Sequence, residues 1–274
     1  MIYPRHVRTH ADVADHYDEL DSIYRGLWGE HVHHGLWRNR GESPQEAVAA
    51  LSDLVRDQLG FAANDRLVDI GCGYGATARR FADEGAIVTG CTLSQAQHDA
   101  APPHRNVQLL CRDWLANDLP AASFDGAYAI ESSEHMGDKP LFFAEARRVL
   151  RTGSRFVICA WLASEQPSRW QREHLLEPIC DEGRLPSLGT PMEYRAMAEA
   201  AGFSCLDYRD VSRAVRRTWE ICARRLVGAF VGDANLRRSV LTARNRSFAR
   251  SLPRLILAYR TGAMRYGIFT LQAQ

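Results

Sequence analysis

The chain has 274 residues, 46% of them apolar and 24% charged, with a formal net charge of +1 at pH 7. This is the length of one large domain, or of one domain carrying a sizeable insertion, at an ordinary globular composition. The near-neutral balance gives no whole-molecule attraction to nucleic acid or a membrane surface, and no apolar run of about 18 residues is present to span one.

The opening "MIYPRHVRTHADVADHYDEL" does not have the basic-then-apolar form of a secretory signal. The stretch "DVADHYDELDSIYRGLWGEHVHHGLW" has no strand alternation and predicts a helix to about Leu27, then a histidine-rich loop. In "SPQEAVAALSDLVRDQLG", Ser43 can serve as N-cap, Pro44 suits the first turn, Gln45 and Glu46 stand where a capping carboxamide or carboxylate helps, and Gly60 can end the helix. An alternating pattern follows. "RLVDI" is a strand, "ATARRFADEG" a helix closed by Gly85, "AIVTGC" a strand, and "SQAQHDAA" a helix stopped by Pro102 and Pro103. "NVQLLC" and "FDGAYAI" are the third and fourth strands, "KPLFFAEARRVLRTG" a helix with Gly153 as terminator, and "RFVICAWL" the fifth strand. Such repetition implies a parallel sheet with helices on both faces. Residues 163–200 read as helical and irregular, and "YRAMAEAAGFSCLDYRDV" resumes the helix–glycine–strand rhythm. Residues 212–262 form two or three helices, and "YGIFTLQA" is a last strand. One domain with a helical cap, built from the N-terminus and two late insertions, accounts for this order.

The chemistry starts at "VDIGCGYG". Gly71, Gly73 and Gly75 stand between a strand and a helix, where glycine permits unusual φ values and close approach of a ligand to the backbone. The helix N-terminus adds free N–H groups and partial positive charge. Such a turn serves NAD, FAD or S-adenosylmethionine. The spacing G-x-G-x-G, with Asp69 inside the motif, favours the last, because a cationic amino group and sulfonium need carboxylates nearby. The acidic residue that NAD sites recruit after the second strand is missing here, and "CTLS" occupies its place. In "CRDW", Asp113 can accept from an adenine amino group while Trp114 packs beside the ring. "YAIESSEHM" lies at the end of the fourth strand, where open α/β sheets bind ligands.

Other clusters carry weaker signals. The seven cysteines (Cys72, Cys91, Cys111, Cys159, Cys180, Cys205 and Cys222) contain no CxxC pair, which fits reduced thiols in a cytoplasmic enzyme. His31, His33 and His34 form too compact a run to converge on one ion, so no metal site is expected; a cofactor-closing loop contributing one histidine to the pocket is the better reading. Residues 213–265 carry 13 arginines against Glu220 and Asp233. They form either a solvated basic helical face or a mouth that attracts a carboxylate or diphosphate.

Residues 66–160 resemble the class I S-adenosylmethionine-dependent methyltransferases. "HYDELDSIYRGLWGEHVHHGLW", "CTLSQAQ", "ESSEHMGDK", "HLLEPICDEGRLPSLGTPMEY" and "AYRTGAMRYGIF" extend the likeness over nearly the whole chain to the tocopherol methyltransferase group. The cyclopropane-synthase and sterol methyltransferase groups are more distantly similar. The resemblance implies a Rossmann-like α/β fold with a mostly parallel seven-stranded sheet. It divides the chain into N-terminal lid helices over 1–60, a donor-binding core over 61–162, and the rest of the sheet with an inserted acceptor cap over 163–274. It implies that Thr92 and Gln97 contact the ribose hydroxyls, Leu93 packs on the adenine, Asp113 and Trp114 hold that ring, and the Asp69–Gly71–Gly73 region receives the methionine part. Tyr17 would close over the cofactor from the lid. Glu131, Glu134 and His135 are the catalytic candidates: Glu134 is the position facing the reacting centre by analogy with cyclopropane synthases, and His135 is a base with a near-neutral ordinary pKa. Glu134 capping the following helix, supported by His135, is the structural alternative.

The resulting expectation is an S-adenosylmethionine-dependent methyltransferase of a small, largely apolar natural product, S-adenosylhomocysteine being the other product. A phenol or quinol is the nearest acceptor by resemblance, followed by an isoprenoid or aromatic carbon, including a prenyl diphosphate, and by an indole or alkaloid nitrogen. Trp161, Trp170, Trp219, Phe230 and Tyr259 either line the acceptor pocket or form the cap's own core. A Rossmann oxidoreductase lacks its motifs here; a non-catalytic binding protein on the same fold stays open. Nucleic-acid methylation is disfavoured, since "ESSE" replaces the motif that would seat a flipped base. An N-terminal lid of this kind can be exchanged between subunits of a homo-oligomer.

Overall fold

The computed structural model describes residues 1–6, 31, 33–232 and 247–274. Helix α1 (Pro44–Leu59) starts on a complete capping box: the Ser43 hydroxyl accepts from Glu46 N–H, and the Glu46 carboxylate accepts from Ser43 N–H. It stops at Gly60, whose φ of 62° is the left-handed conformation that glycine adopts without strain. There follow β1 (Arg66–Ile70), α2 (Ala76–Asp83), β2 (Ile87–Thr92), α3 (Gln95–Ala100), β3 (Val107–Cys111), β4 (Phe124–Ile130), α4 (Lys139–Val149) and β5 (Leu150–Ala163). The second half holds α5 (Glu177–Glu182), α6 (Pro191–Ala200), β6 (Phe203–Asp210), α7 (Arg217–Gly232), α8 (Ser247–Thr261) and β7 (Met264–Ala273).

The seven strands form one sheet in the order β3-β2-β1-β4-β5-β7-β6. The first five are parallel; β7 runs antiparallel between β5 and β6. Alternate residues of each strand face opposite layers. Leu67, Tyr128, Val157 and Cys159 join the core under α1, α2 and the cap, whereas Val68, Ala127, Phe156 and Ile158 join the core under α4 and α6. Burying each large apolar side chain in such a layer contributes ~1.5–3 kcal/mol. The cap has no separate core: Leu176, Ile179, Trp219, Leu255 and Tyr259 belong to the same cluster as the sheet's first face.

The helix after β4 is shorter than its sequence predicts. It ends at Val149, and Leu150 already pairs with Phe124, because a fully buried leucine at the sheet gains more there than in another exposed helical turn. Gly153, with φ 87°, turns the chain within β5 instead of ending the helix. Between Arg172 and Leu176 the helical run leading into α5 widens to a π-helix.

Candidate active site

The β1–α2 turn is compact on one side and open on the other. Gly71, Gly73 and Gly75 all have positive φ, at 79°, 54° and 69°. A Cβ at Gly71 would lie 2.3 Å from the Ser132 Cβ, whereas one at Gly73 would meet nothing nearer than the Gln97 carboxamide at 4.0 Å. The N–H groups of Gly71 and Cys72 both donate to Cys91 O at 2.9 Å, and the Ser132 hydroxyl donates to Ile70 O. These bonds gather the ends of β1, β2 and β4 around a cleft of about 640 Å³, its open mouth included.

Gly71, Gly73, Thr92, Leu93, Gln97 and Trp114 wall this cleft, together with Glu131 and His135. The Thr92 hydroxyl donates to Gln97 Oε1 at 3.1 Å, so two neutral polar groups already stand paired. Trp114 is buried and fixed by its indole N–H, which donates to Phe142 O at 3.2 Å. Asp113 and Gly75 are not on this wall: the Asp113 carboxylate accepts from Leu115 N–H, and Gly75 packs toward Leu109 as the N-cap of α2.

A recess of about 380 Å³ adjoins the cleft through Gly71, Gly73 and Ile130 and brings in Asp69, Tyr74, Thr77, His31 and His33. Burial raises the Asp69 carboxyl to about 7. Burial also pulls His31 down to about 3, with His33 beside it adding to the effect, and lowers His33. Neither imidazole therefore adds positive charge at neutral pH. An acid that ionises readily beside a cation, two neutral imidazoles and an open glycine turn fit an ammonium and a sulfonium; the neutral Thr92–Gln97 pair and the Leu93 and Trp114 surfaces fit a ribose and an adenine. Bound there, S-adenosylmethionine supplies an electrophilic methyl group.

Glu131 stands where the cleft meets the cap. Its φ of 54° puts a non-glycine residue in the left-handed region, a conformation that costs ~1–3 kcal/mol and persists only where the surroundings hold it. The surroundings are four donors. Oε1 accepts from His34 N–H at 2.6 Å and from the Tyr266 hydroxyl at 2.7 Å; Oε2 accepts from His34 Nδ1 at 2.9 Å and from the Trp161 indole N–H at 2.8 Å. Burial would push this carboxyl upward, but the His34 ring and the hydrogen bonds from His34 hold it at about 2. Glu131 is an ionised, saturated carboxylate.

His34 is delivered to it by a clamped segment. Gly35 N–H and the Trp37 indole N–H both donate to the Thr218 hydroxyl on α7, at 3.1 and 3.0 Å. Leu36 N–H donates to Ala47 O on α1, and the Arg217 guanidinium lies 4.5 Å from the Trp37 ring centroid. Gly35 has no room for a side chain, since a Cβ would sit 2.6 Å from the Ala47 Cβ. The His34 ring is then surrounded by Trp161, Trp219, Tyr259 and Tyr266, with centroids 4.9–5.9 Å away.

Glu134 and His135 occupy the 3₁₀ turn after β4, and only His135 reaches the cleft wall. Burial lowers His135 to about 3. The Glu134 side chain is buried beneath the turn, where it accepts from Trp161 N–H at 3.4 Å and from the Ser133 hydroxyl at 3.3 Å, and burial raises its pKa. Beside it, buried Lys139 donates to the carbonyls of Glu134, Met136 and Ser187, tying the turn to the cap. Sequence reasoning missed the grip of Trp161 and Tyr266 on Glu131 and the role of the histidine loop in completing it. The "HHGLW" string was the available signal, because glycine permits the close backbone approach that this strap makes to Ala47.

Among the cap aromatics, Trp170 is half-exposed and stacked on His174, away from this cluster. Tyr17 and the side chain of Phe230 lie outside the described residues. Four cap arginines are engaged within the protein: Arg217 donates to Asn39 O and Arg40 O, and Arg254, Arg260 and Arg265 pair with Glu182, Glu220 and Asp210. Among the described residues no cluster of three metal-ligating side chains forms, and no helix is long and apolar enough to cross a membrane.

Comparison with known proteins identifies the family. The family model described as mycolic acid cyclopropane synthetase matches residues 5–240. The chain is 29% identical over 286 residues to the probable chloroplastic tocopherol O-methyltransferase of Oryza sativa subsp. japonica, covering 94% of this chain and 76% of that protein. It is 31% identical over 229 residues to the 27-O-demethylrifamycin SV methyltransferase of Amycolatopsis mediterranei (strain S699), covering 80% and 84%. Among solved structures, the cyclase SpnF superposes with a TM-score of 0.81 at 27% identity, over 100% of this chain and 99% of that one. With a family match across most of its length and methyltransferases among its full-length relatives, the chain belongs to the mycolic acid cyclopropane synthetase family, as a class I S-adenosylmethionine-dependent methyltransferase of small molecules.

Proposed function

We propose that the enzyme methylates a hydroxyl group, of phenol or quinol type, on a small and largely apolar natural product. The observation that carries this reading is Glu131, which lines the cleft and is backed by a packed aromatic cluster of Trp161, Trp219, Tyr259 and Tyr266. An aromatic cluster next to the cleft, with Ile130 and Met136 on the cleft lining, suits a planar apolar acceptor beside the methyl donor. The O-methyltransferases among the relatives, named for tocopherol and for a rifamycin, support the same class. A diphosphate-bearing acceptor finds less support, since the cap arginines at 217, 254, 260 and 265 already have partners.

On this reading Thr92 and Gln97 exchange their mutual bond for ribose hydroxyls, Leu93 and Trp114 enclose the adenine, and Asp69 with the turn at Gly71 and Gly73 receives the methionine end. Residues 1–60 act as a lid, 61–162 as the donor-binding core and 163–274 as the acceptor side. Seven free thiols fit a reducing compartment such as the cytoplasm.

A screen with radiolabelled methyl donor against phenols, quinols, prenyl diphosphates and indoles, with product mass and methyl position determined, tests the acceptor class. Label appearing only on carbon or nitrogen would sink the hydroxyl reading. The Gly73→Asp variant tests the donor site: a negative side chain projected into the open cleft removes S-adenosylhomocysteine binding in calorimetry, and retained affinity would displace the donor from this turn.

A further inference from the structure

We infer that His34 is the general base of the reaction, with Glu131 as the residue that fixes its tautomer, so that the acceptor's proton leaves through Nε2 of His34. This rests on the hydroxyl reading of the acceptor and assigns the proton's path within it.

The argument begins with Glu131. A carboxylate that already accepts from four donors is a poor proton acceptor, although it stands on the cleft wall. An ionised carboxylate can only accept, so the 2.9 Å contact with His34 requires the hydrogen on Nδ1. A ring carrying that single proton has its lone pair on Nε2. That atom is buried and has no hydrogen-bond partner among the described residues. A buried, unpaired acceptor costs ~1–3 kcal/mol, and an arriving hydroxyl would satisfy it. The four aromatic rings packed around His34, together with the Glu131 carboxylate, also suit the imidazolium that results.

The balance is simple. The acceptor O–H bond breaks and its proton binds Nε2, while the oxygen keeps the electron pair that forms the new O–CH₃ bond; the pair of the broken S–CH₃ bond stays on sulfur. His34 releases the proton to solvent after product leaves. The other candidates serve less well: Glu134 is turned away beneath the 3₁₀ turn, and His135 faces the donor cleft with burial opposing its protonation.

The test uses the full-length enzyme with S-adenosylhomocysteine bound. Nitrogen-15 NMR of the histidine rings is expected to show His34 protonated on Nδ1 and bare on Nε2, and a mixture of tautomers in Glu131→Gln. A proton on Nε2 in the neutral wild-type ring would overturn the assignment. As a second readout, 4-nitrophenol serves as acceptor mimic, its ionised form being coloured. The wild-type complex should raise the ionised fraction above that in buffer, whereas His34→Gln should not; equal spectra would overturn the proposal. With a hydroxyl acceptor from the screen, His34→Gln should lower kcat about a hundredfold or more with unchanged S-adenosylhomocysteine affinity. Such a loss in His135→Asn with His34→Gln fully active would transfer the role to His135. The first two readouts need no turnover, so a screen that finds no hydroxyl acceptor defeats the functional reading separately.

Discussion

Two carboxyl groups six decades of sequence apart illustrate how the same side-chain chemistry is set to opposite states by its donors. Glu131 has four hydrogen bonds and a folded pKa of about 2, below the ordinary 4.5. A depressed carboxyl pKa contributes stability that is complete above pH 4.5 and is lost as pH falls toward 2, here roughly 3 kcal/mol. Urea unfolding from pH 7 down to pH 3 should therefore show the wild type losing its advantage over Glu131→Gln as the pH drops; a constant difference between them would contradict the assignment. Asp69 lies on the other side, raised to about 7 by burial. A cationic donor beside it favours the ionised form, so S-adenosylmethionine binding below pH 7 should release a proton and tighten about tenfold per pH unit up to that point. Calorimetry in buffers of different ionisation enthalpy measures this directly, and zero proton release at pH 6 would remove Asp69 from the donor's contacts. Neither state is legible in sequence. "VDIG" announces an aspartate at a glycine turn, but the burial that raises its pKa depends on residues brought in by the fold.

At the level of elements, the histidine segment is a short strap whose position is set by two helices. Ala47 of α1 limits it on one side, and Thr218 of α7 holds it on the other. Gly35→Ala should force the strap outward, costing about 1–3 kcal/mol of stability and separating His34 from Glu131. Thermal unfolding measures the first effect and the His34 NMR signals the second; a variant with wild-type stability and an intact Nδ1 signal would show that the strap has slack. The strands and the helices between them were readable because apolar periodicity and caps such as Ser43 and Gly60 are local signals. The joining of His34 to Glu131, 97 residues apart, has no local signal. The same limit explains the helix that ends at Val149 instead of Gly153: pairing of Leu150 with Phe124 decides it, and that partner lies in another strand.

For the whole molecule, the cap and the sheet share a single continuous core on one face of the sheet, with cap residues such as Trp219 and Tyr259 in the same cluster as Leu67 and Val157. The cleft residues sit at strand ends, which local apolar patterns locate; the aromatic cluster around His34 is assembled from β5, α7, α8 and β7 and becomes visible only in three dimensions. The Thr218 hydroxyl has a practical consequence for recombining such enzymes. A cap transplanted from a relative to change acceptor choice would carry away the anchor of the N-terminal strap, so the boundary of an exchangeable module does not coincide with the boundary of the cap. Chimeras that keep threonine at 218 should retain the His34–Glu131 pairing, and those that lose it leave the Gly35 and Trp37 N–H groups unpaired and should lose stability together with that pairing, both recoverable by restoring one hydroxyl.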